Sequence, residues 1–359
     1  MPAAGREDSF ILPTNHDDRQ RWARGSRRGD TSPADARPAL GPRSRIRRGL
    51  LLVGAALIGV VPPCVTGCDR EESRAADVRR VIGGLGLGRG EFNYPRSLAI
   101  SPVDGRLFVV DKSRTARIQR FSPDGEYETE WHMPEYDVGK PTGLYVDGQG
   151  RVWVADTHYH RVIVFDRDGH ELFRFGEEGT GPGQFALPTC VTLDRDGCIY
   201  VGEYSESGLT DRISKFSPDR RFLLSFAGQT SGEAAVQRPT EIIIDENDIL
   251  WVADACHHRI CRYDRDGRFL SAFGTAGRGQ TEFKYPYGMV LEKAGTLLIA
   301  DRGNNRIVRY DRSGRFLGSW GTPGRAVGQI SQPWDVAVGK DGLVYCLDSY
   351  NNRVQVIDW

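Results

Sequence analysis

The sequence predicts an all-β chain, a six-bladed β-propeller of four-stranded blades, and three observations carry that prediction. A unit of about 47 residues recurs six times from Val78 onward. Each unit holds four short apolar runs punctuated by Gly, Asp and Pro, and nowhere does the 3.6-residue period of a helix appear. The last unit lacks its fourth run, while a spare run stands in front of the first.

Each unit opens on a proline and a short apolar run. These are "PRSLAI", "PTGLYV", "PTCVTL", "PTEIII", "PYGMVL" and "PWDVAV", starting at Pro95, Pro141, Pro188, Pro239, Pro286 and Pro333. A second run ends in an acid: Asp111, Asp156, Glu203, Asp254, Asp301 or Asp348. A third starts on an arginine: Arg117, Arg161, Arg212, Arg259, Arg306 or Arg353. Turns such as "DRDG" and "SPDG" lead to a fourth, for example "RFLSAFG" at 268–274. A blade is covered by a neighbour on both faces, so its strands read apolar almost throughout, with Phe121, Trp153 and Trp251 as core between blades. The front run "VRRVIGG" (78–84) aligns with these fourth runs. It should complete the last blade and remove the open edge.

The front of the chain reads differently. Residues 1–48 carry 11 Arg against 6 acids and have no apolar periodicity, the composition of a disordered basic segment. They end in "RSRIRR", and "GLLLVGAALIGVVPP" follows without a charge. A basic stretch before a short apolar run that stops at paired prolines reads as an export signal, not a membrane span. Val65-Thr66-Gly67-Cys68 then resembles a bacterial lipobox, which implies a lipid on Cys68 and a membrane-anchored, extracytoplasmic protein. Residues 49–68 are thus the signal and lipobox segment, 69–77 a linker and 78–359 the propeller, expected to be monomeric. Cys190, Cys198, Cys256, Cys261 and Cys346 have no paired spacing, so neither a disulfide framework nor a zinc knuckle is indicated.

An acid, a short loop, then Asn-Arg-Ile/Val and an aromatic, as in "DRGNNRIVRY" (301–310), resembles the NHL repeat, a family of six-bladed propellers. Such propellers include RNA binders, protein scaffolds, sensors and a lyase, so the resemblance implies the fold more than the activity. The recurrent acid and arginine flank one turn and can pair across it or tie neighbouring blades, which makes them structural.

Function is sought where the copies differ. Between acid and arginine, two copies read "RGNN" and "SYNN", but others read "THYH", with His158 and His160, and "ACHH", with His257 and His258. His132 is placed on the same rim. Imidazole is a common ligand for zinc. The peptide-amidating lyase is an NHL-like propeller that holds a metal with histidines, and the resemblance places His160 and His258 at one such position. That family also has a histidine directly after a first-strand proline, where this chain has Arg96, Thr142, Thr189, Thr240, Tyr287 and Trp334. One residue further on, Glu241 and Asp335 aim carboxylates at the channel, where they could hold calcium, as in gluconolactonase-like propellers, or act as acid and base.

A basic and aromatic patch of Arg96, Arg302, Lys112 and Arg114 with Tyr287, Trp334 and Tyr350 suits a protein or peptide ligand. The slightly acidic body and the export signal speak against nucleic acid. The expected function is an exported binding or scaffold module acting through its top face. The alternative is a lyase or hydrolase using zinc or calcium held by His160, His258, Glu241 and Asp335. No nucleophile-elbow, zincin or phosphate-loop motif is present, and "GLGLGRG" (84–90) belongs to the loop before the first blade.

Overall fold

In the computed structural model, residues 77–112, 116–136 and 140–359 are described. The segments assigned to the basic front, the signal and Cys68 lie outside them. Six four-stranded antiparallel sheets form six blades. The first blade runs Pro95–Ile100, Leu107–Asp111, Arg117–Phe121 and Tyr127–His132, in the order of the sequence units. The first strands of successive blades pack side by side around the axis, and the last of them, Asp335–Val338, packs against the first, Pro95–Ile100. The ring therefore closes.

The closure follows the sequence expectation. Asp77–Gly83 pairs antiparallel with Arg353–Asp358, bringing Val78 opposite Ile357 and Gly83 opposite Arg353. Between blades the core is aromatic and aliphatic: Trp251 and Trp153 are fully buried, as are Phe121, Ile307 and Tyr310. Both tryptophans reach a carboxylate with their indole N–H, Trp153 to Asp147 at 2.8 Å and Trp251 to Asp245 at 3.1 Å. The five cysteines of the propeller are all free thiols. Among the described residues no helix is long and apolar enough to cross a membrane.

The recurrent acid and arginine form a salt bridge in every blade, from Arg117–Asp111 at 3.3 Å to Arg212–Glu203 at 2.6 Å. The arginine fork goes further and donates to carbonyls of the incoming loop. Arg306 reaches Gly279 O and Glu282 O at 2.8 and 2.7 Å, and Arg117 reaches Leu87 O and Glu91 O at 2.9 and 2.7 Å. The acid accepts an N–H from the same loop: Asn93 onto Asp111, Ala186 onto Glu203, Gln237 onto Asp254, Lys284 onto Asp301 and Ser331 onto Asp348. All six acids are fully buried. Such a charge is tolerable in the interior because, in these five blades, the carboxylate is shared between a cation and a backbone donor, and in blade two Asp156 keeps its arginine at 3.0 Å. Arg117→Ala leaves Asp111 buried without its cation, so it should lower the free energy of unfolding by about 3–5 kcal/mol. Urea denaturation measures this, and a loss below 1 kcal/mol, the level of an exposed pair, would refute the role.

Candidate functional site: a cationic and aromatic collar at the channel mouth

The residue after each first-strand proline sits where neighbouring inner strands meet. In blades two, three and four it is threonine, and its hydroxyl staples one blade to the next. Thr142 donates to Thr189 O at 3.3 Å, Thr189 to Pro239 O at 2.6 Å and Thr240 to Pro286 O at 3.2 Å. In blades five, six and one the staple is replaced by Tyr287, Trp334 and Arg96. Three adjacent blades thus present large side chains where the other three present a satisfied hydroxyl.

These side chains make one cluster. Arg96 sits in the corner between two rings, its Cζ 4.1 Å from the Tyr94 centroid and 3.8 Å from that of Trp334. Arg302 lies over the other end of the group, 4.7 Å from Trp334 and 5.0 Å from Tyr287. Tyr287 meets Trp334 edge-on at 4.7 Å, and Tyr94 meets Tyr350 at 5.5 Å. Arg96 is only 9% exposed. The Nε atoms of Arg96 and Arg302 are buried without a hydrogen-bond partner.

The charges around the collar act against one another. Burial, and then the nearby Arg302 and Arg238, pull Arg96 down to about 10. Burial lowers Lys112 to about 6, aided by Arg96, Lys140 and Arg238. Lys140 is lowered by burial and by Arg96. Among the described residues no carboxylate is among the main groups acting on these three. Beneath them, Asp335 is held by Ser97 Oγ at 2.8 Å, Leu98 N at 3.0 Å and Val336 N at 2.8 Å, tying blade six to blade one. Burial lifts Asp335 to about 6. Glu241 is raised well above the usual range by burial and then by Asp335. Blade five carries Gly288 at this level, and a Cβ there would come within 2.0 Å of Asp335 Oδ1.

The rim histidines have other partners. His257 Nδ1 meets Asp254 Oδ2 at 2.8 Å, as Asn304 and Asn351 meet Asp301 and Asp348. His258 Nδ1 accepts the N–H of Tyr285 at 3.0 Å, as Asn305 Oδ1 accepts Gln332 N and Asn352 Oδ1 accepts Tyr94 N. Accepting at Nδ1 leaves the proton on Nε2. His160 turns its Nδ1 to Ala186 O, which leaves Nε2 as its acceptor nitrogen. His132 ends the outermost strand of blade one, stacked on Tyr136 at 5.2 Å. Among the described residues no group of three or more His, Cys, Asp or Glu is placed to hold a metal ion.

Of the residues the sequence singled out, Arg96, Tyr287, Arg302 and Trp334 converge, whereas His257 and His258 belong to loop anchoring. His158 joins the cationic side of the mouth. Tyr94, Lys140 and Arg238 complete it without having been nominated as its members. All three immediately precede a first-strand proline, and that column was the available signal.

The NHL repeat family model matches residues 139–165 and 331–357. NHL repeat-containing protein 3 of Mus musculus is 27% identical over 175 residues, 45% of this chain and 49% of that protein. Peptidylglycine alpha-amidating monooxygenase of Rattus norvegicus is 30% identical over 100 residues, 26% of this chain and 10% of that protein. The chain spans less than half the length of these relatives. A solved streptogramin B lyase shares the fold at 16% identity and a TM-score of 0.56, over 78% of this chain and 97% of that one. The chain is a six-bladed propeller in which two segments match the NHL repeat.

His158 supplies a test of the collar's electrostatics. Burial, then Lys140, Lys112, His160 and Arg96, hold it down to about 4 from 6.5. The unfolded chain takes up this proton first, so the stability carried by neutral His158 is complete above pH 6.5 and lost as pH falls toward 4. Urea titrations across that interval should show wild type losing stability relative to His158→Gln. A difference that stays constant with pH would contradict this placement.

Proposed function

We propose that this propeller is a binding module that takes a protein, peptide or small ligand on its upper face, at the collar over blades five, six and one. One observation carries the reading: the threonine staple that joins inner strands elsewhere gives way, in three adjacent blades, to Arg96, Tyr287 and Trp334. Rigid aromatic and guanidinium groups present much contact area for little ordering entropy, the composition of binding hot spots. The cluster is pre-set by its own stacking, so a ligand need not organise it.

A second reading, a lyase or hydrolase working in the channel, draws on Glu241 and Asp335. Burial raises the proton affinity of both, Glu241 further through its neighbour Asp335, which suits acid–base work. The similarity to an amidating monooxygenase and to a streptogramin B lyase supports it as analogy. The collar is the better-developed feature, so binding is preferred.

A ligand found by screening peptide and metabolite panels against the full chain should bind Trp334→Ala ~10–100-fold more weakly. Trp334→Phe should recover part of the loss. Ligands that bind both variants as they bind wild type would place recognition elsewhere.

We further propose that the protein is exported and held at a membrane by a lipid on Cys68, a residue outside the described part. Cys68→Ser should move it from the membrane to the soluble fraction, and unchanged fractionation would rule out that anchor.

A further inference from the structure

We propose that the collar is an oxyanion site, built to take one carboxylate or phosphate group between Arg96 and Arg302 with Trp334 as its wall. This rests on the binding reading above and names the chemistry of the ligand.

The first support is what these two arginines lack. The recurrent arginines of all six blades are paired with a carboxylate. Many others are paired as well, among them Arg106, Arg120, Arg265 and Arg312. Arg96 and Arg302 form no ion pair among the described residues, and each buries an Nε that nothing accepts. A buried N–H without an acceptor is costly, so natural chains keep few, and one that is kept needs a reason. Arg262, stacked on Trp251, also buries such an Nε, but at the collar two of them share one indole, and there the common answer is an acceptor that arrives from outside.

Geometry gives the second support. Stacking against rings occupies the faces of a guanidinium and leaves its edges free, and the N–H bonds lie in the plane of those edges. Arg96 is stacked on Tyr94 and Trp334, and Arg302 on Trp334 and Tyr287. Edge-on forks suit a carboxylate or phosphate, which accepts two parallel hydrogen bonds.

Charge gives the third. Lys112 and Lys140 stand beside Arg96, and among the described residues the main charges acting on all three are other cations. An anion would relieve repulsion among these groups. Asp335 and Glu241, below the collar, would repel it from the channel and keep it at the mouth. A single oxyanion fits this arrangement better than a long polyanion, because the cations are gathered at one mouth and not spread over the face.

The test titrates the full-length protein by calorimetry with inorganic phosphate and, separately, with succinate, each at fixed ionic strength set by chloride. Saturable binding of at least one probe is expected, and the stronger of the two names the source of the anion. Arg302→Gln and Arg96→Gln should each weaken it about tenfold or more. Arg221→Gln, an exposed arginine paired with Asp219 at 2.7 Å, should not. Arg302→Lys keeps the charge without the fork and should fall between wild type and Arg302→Gln, which separates recognition from folding. Absence of saturable binding by both probes overturns the proposal, as does binding indifferent to both glutamine variants. If the probes fail while a screened ligand still depends on Trp334, the oxyanion assignment falls and the binding reading stands. If no ligand depends on Trp334 but a probe binds through Arg96 and Arg302, the reverse holds.

Discussion

Everything above the sheets depends on one buried contact, the carboxylate that closes the second strand of each blade. Taken into the interior alone, that charge would be prohibitive. It is tolerated because the carboxylate meets the arginine that opens the third strand and, in five of the six blades, an N–H of the incoming loop as well. The arginine in turn grips that loop by its carbonyls, as Arg353 grips Ala326 O and Gln329 O at 2.7 and 3.0 Å. At the end of the same turn a left-handed residue reaches forward: Asn352 to Tyr94, His258 to Tyr285, Asn305 to Gln332. In blade three, Asp211 does the same for Arg238 at 2.8 Å. One turn therefore holds the loop before it and the blade after it. Hydrogen-bonded burial of this kind fixes register more than it adds stability, since buried ion pairs roughly break even with apolar packing.

This explains which parts of the molecule could be read beforehand. The repeat, the acid–arginine pairing, the aromatic core and the closing strand all recur or complement one another in the sequence, and the structure has them. The histidine doublet of "ACHH" looked like a departure from the repeat. Physically it is a continuation, because imidazole Nδ1 can take both places of the asparagines in "RGNN". The column before the proline was harder. A residue there ordinarily adopts extended backbone, yet Tyr94, Arg238, Tyr285 and Gln332 have φ of 74, 57, 56 and 48°. The forward-reaching cap on each N–H accompanies that conformation, and the cap comes from a different blade. Only the fold brings cap and capped residue together, so the shared place before the proline marks Tyr94 and Arg238 as a set without announcing that they belong to the mouth.

The mouth itself is electrostatically layered. At the collar Arg96 and Arg302 have no ion pair among the described residues, and carboxyl groups lifted by burial stand beneath them. Neither layer neutralises the other: Asp335 is engaged by Ser97 and two backbone N–H groups, and the guanidinium of Arg96 is engaged by rings. A fold that needed only cohesion would have paired them, as it pairs acid with arginine in every blade. Keeping them apart preserves a field across the channel entrance that an anion can feel.

That separation has a structural cost, and the molecule meets it locally. Where Arg96 and Trp334 replace threonine, the seam between blades six and one loses its hydroxyl staple. The same seam is where the N-terminal strand closes the ring, so it can least tolerate a weak joint. Asp335 supplies the missing link, reaching across to Ser97 and Leu98 from the strand that also carries Trp334. Gly288 makes this possible, since any side chain there would occupy the space of the carboxylate. Asp335, one of the two carboxylates the sequence aims at the channel, is also the fastening of this seam. Its elevated proton affinity follows from that burial alone. The collar and its fastening are then one device: the departure from the repeat that creates the site, and the residue that repairs the joint it opens.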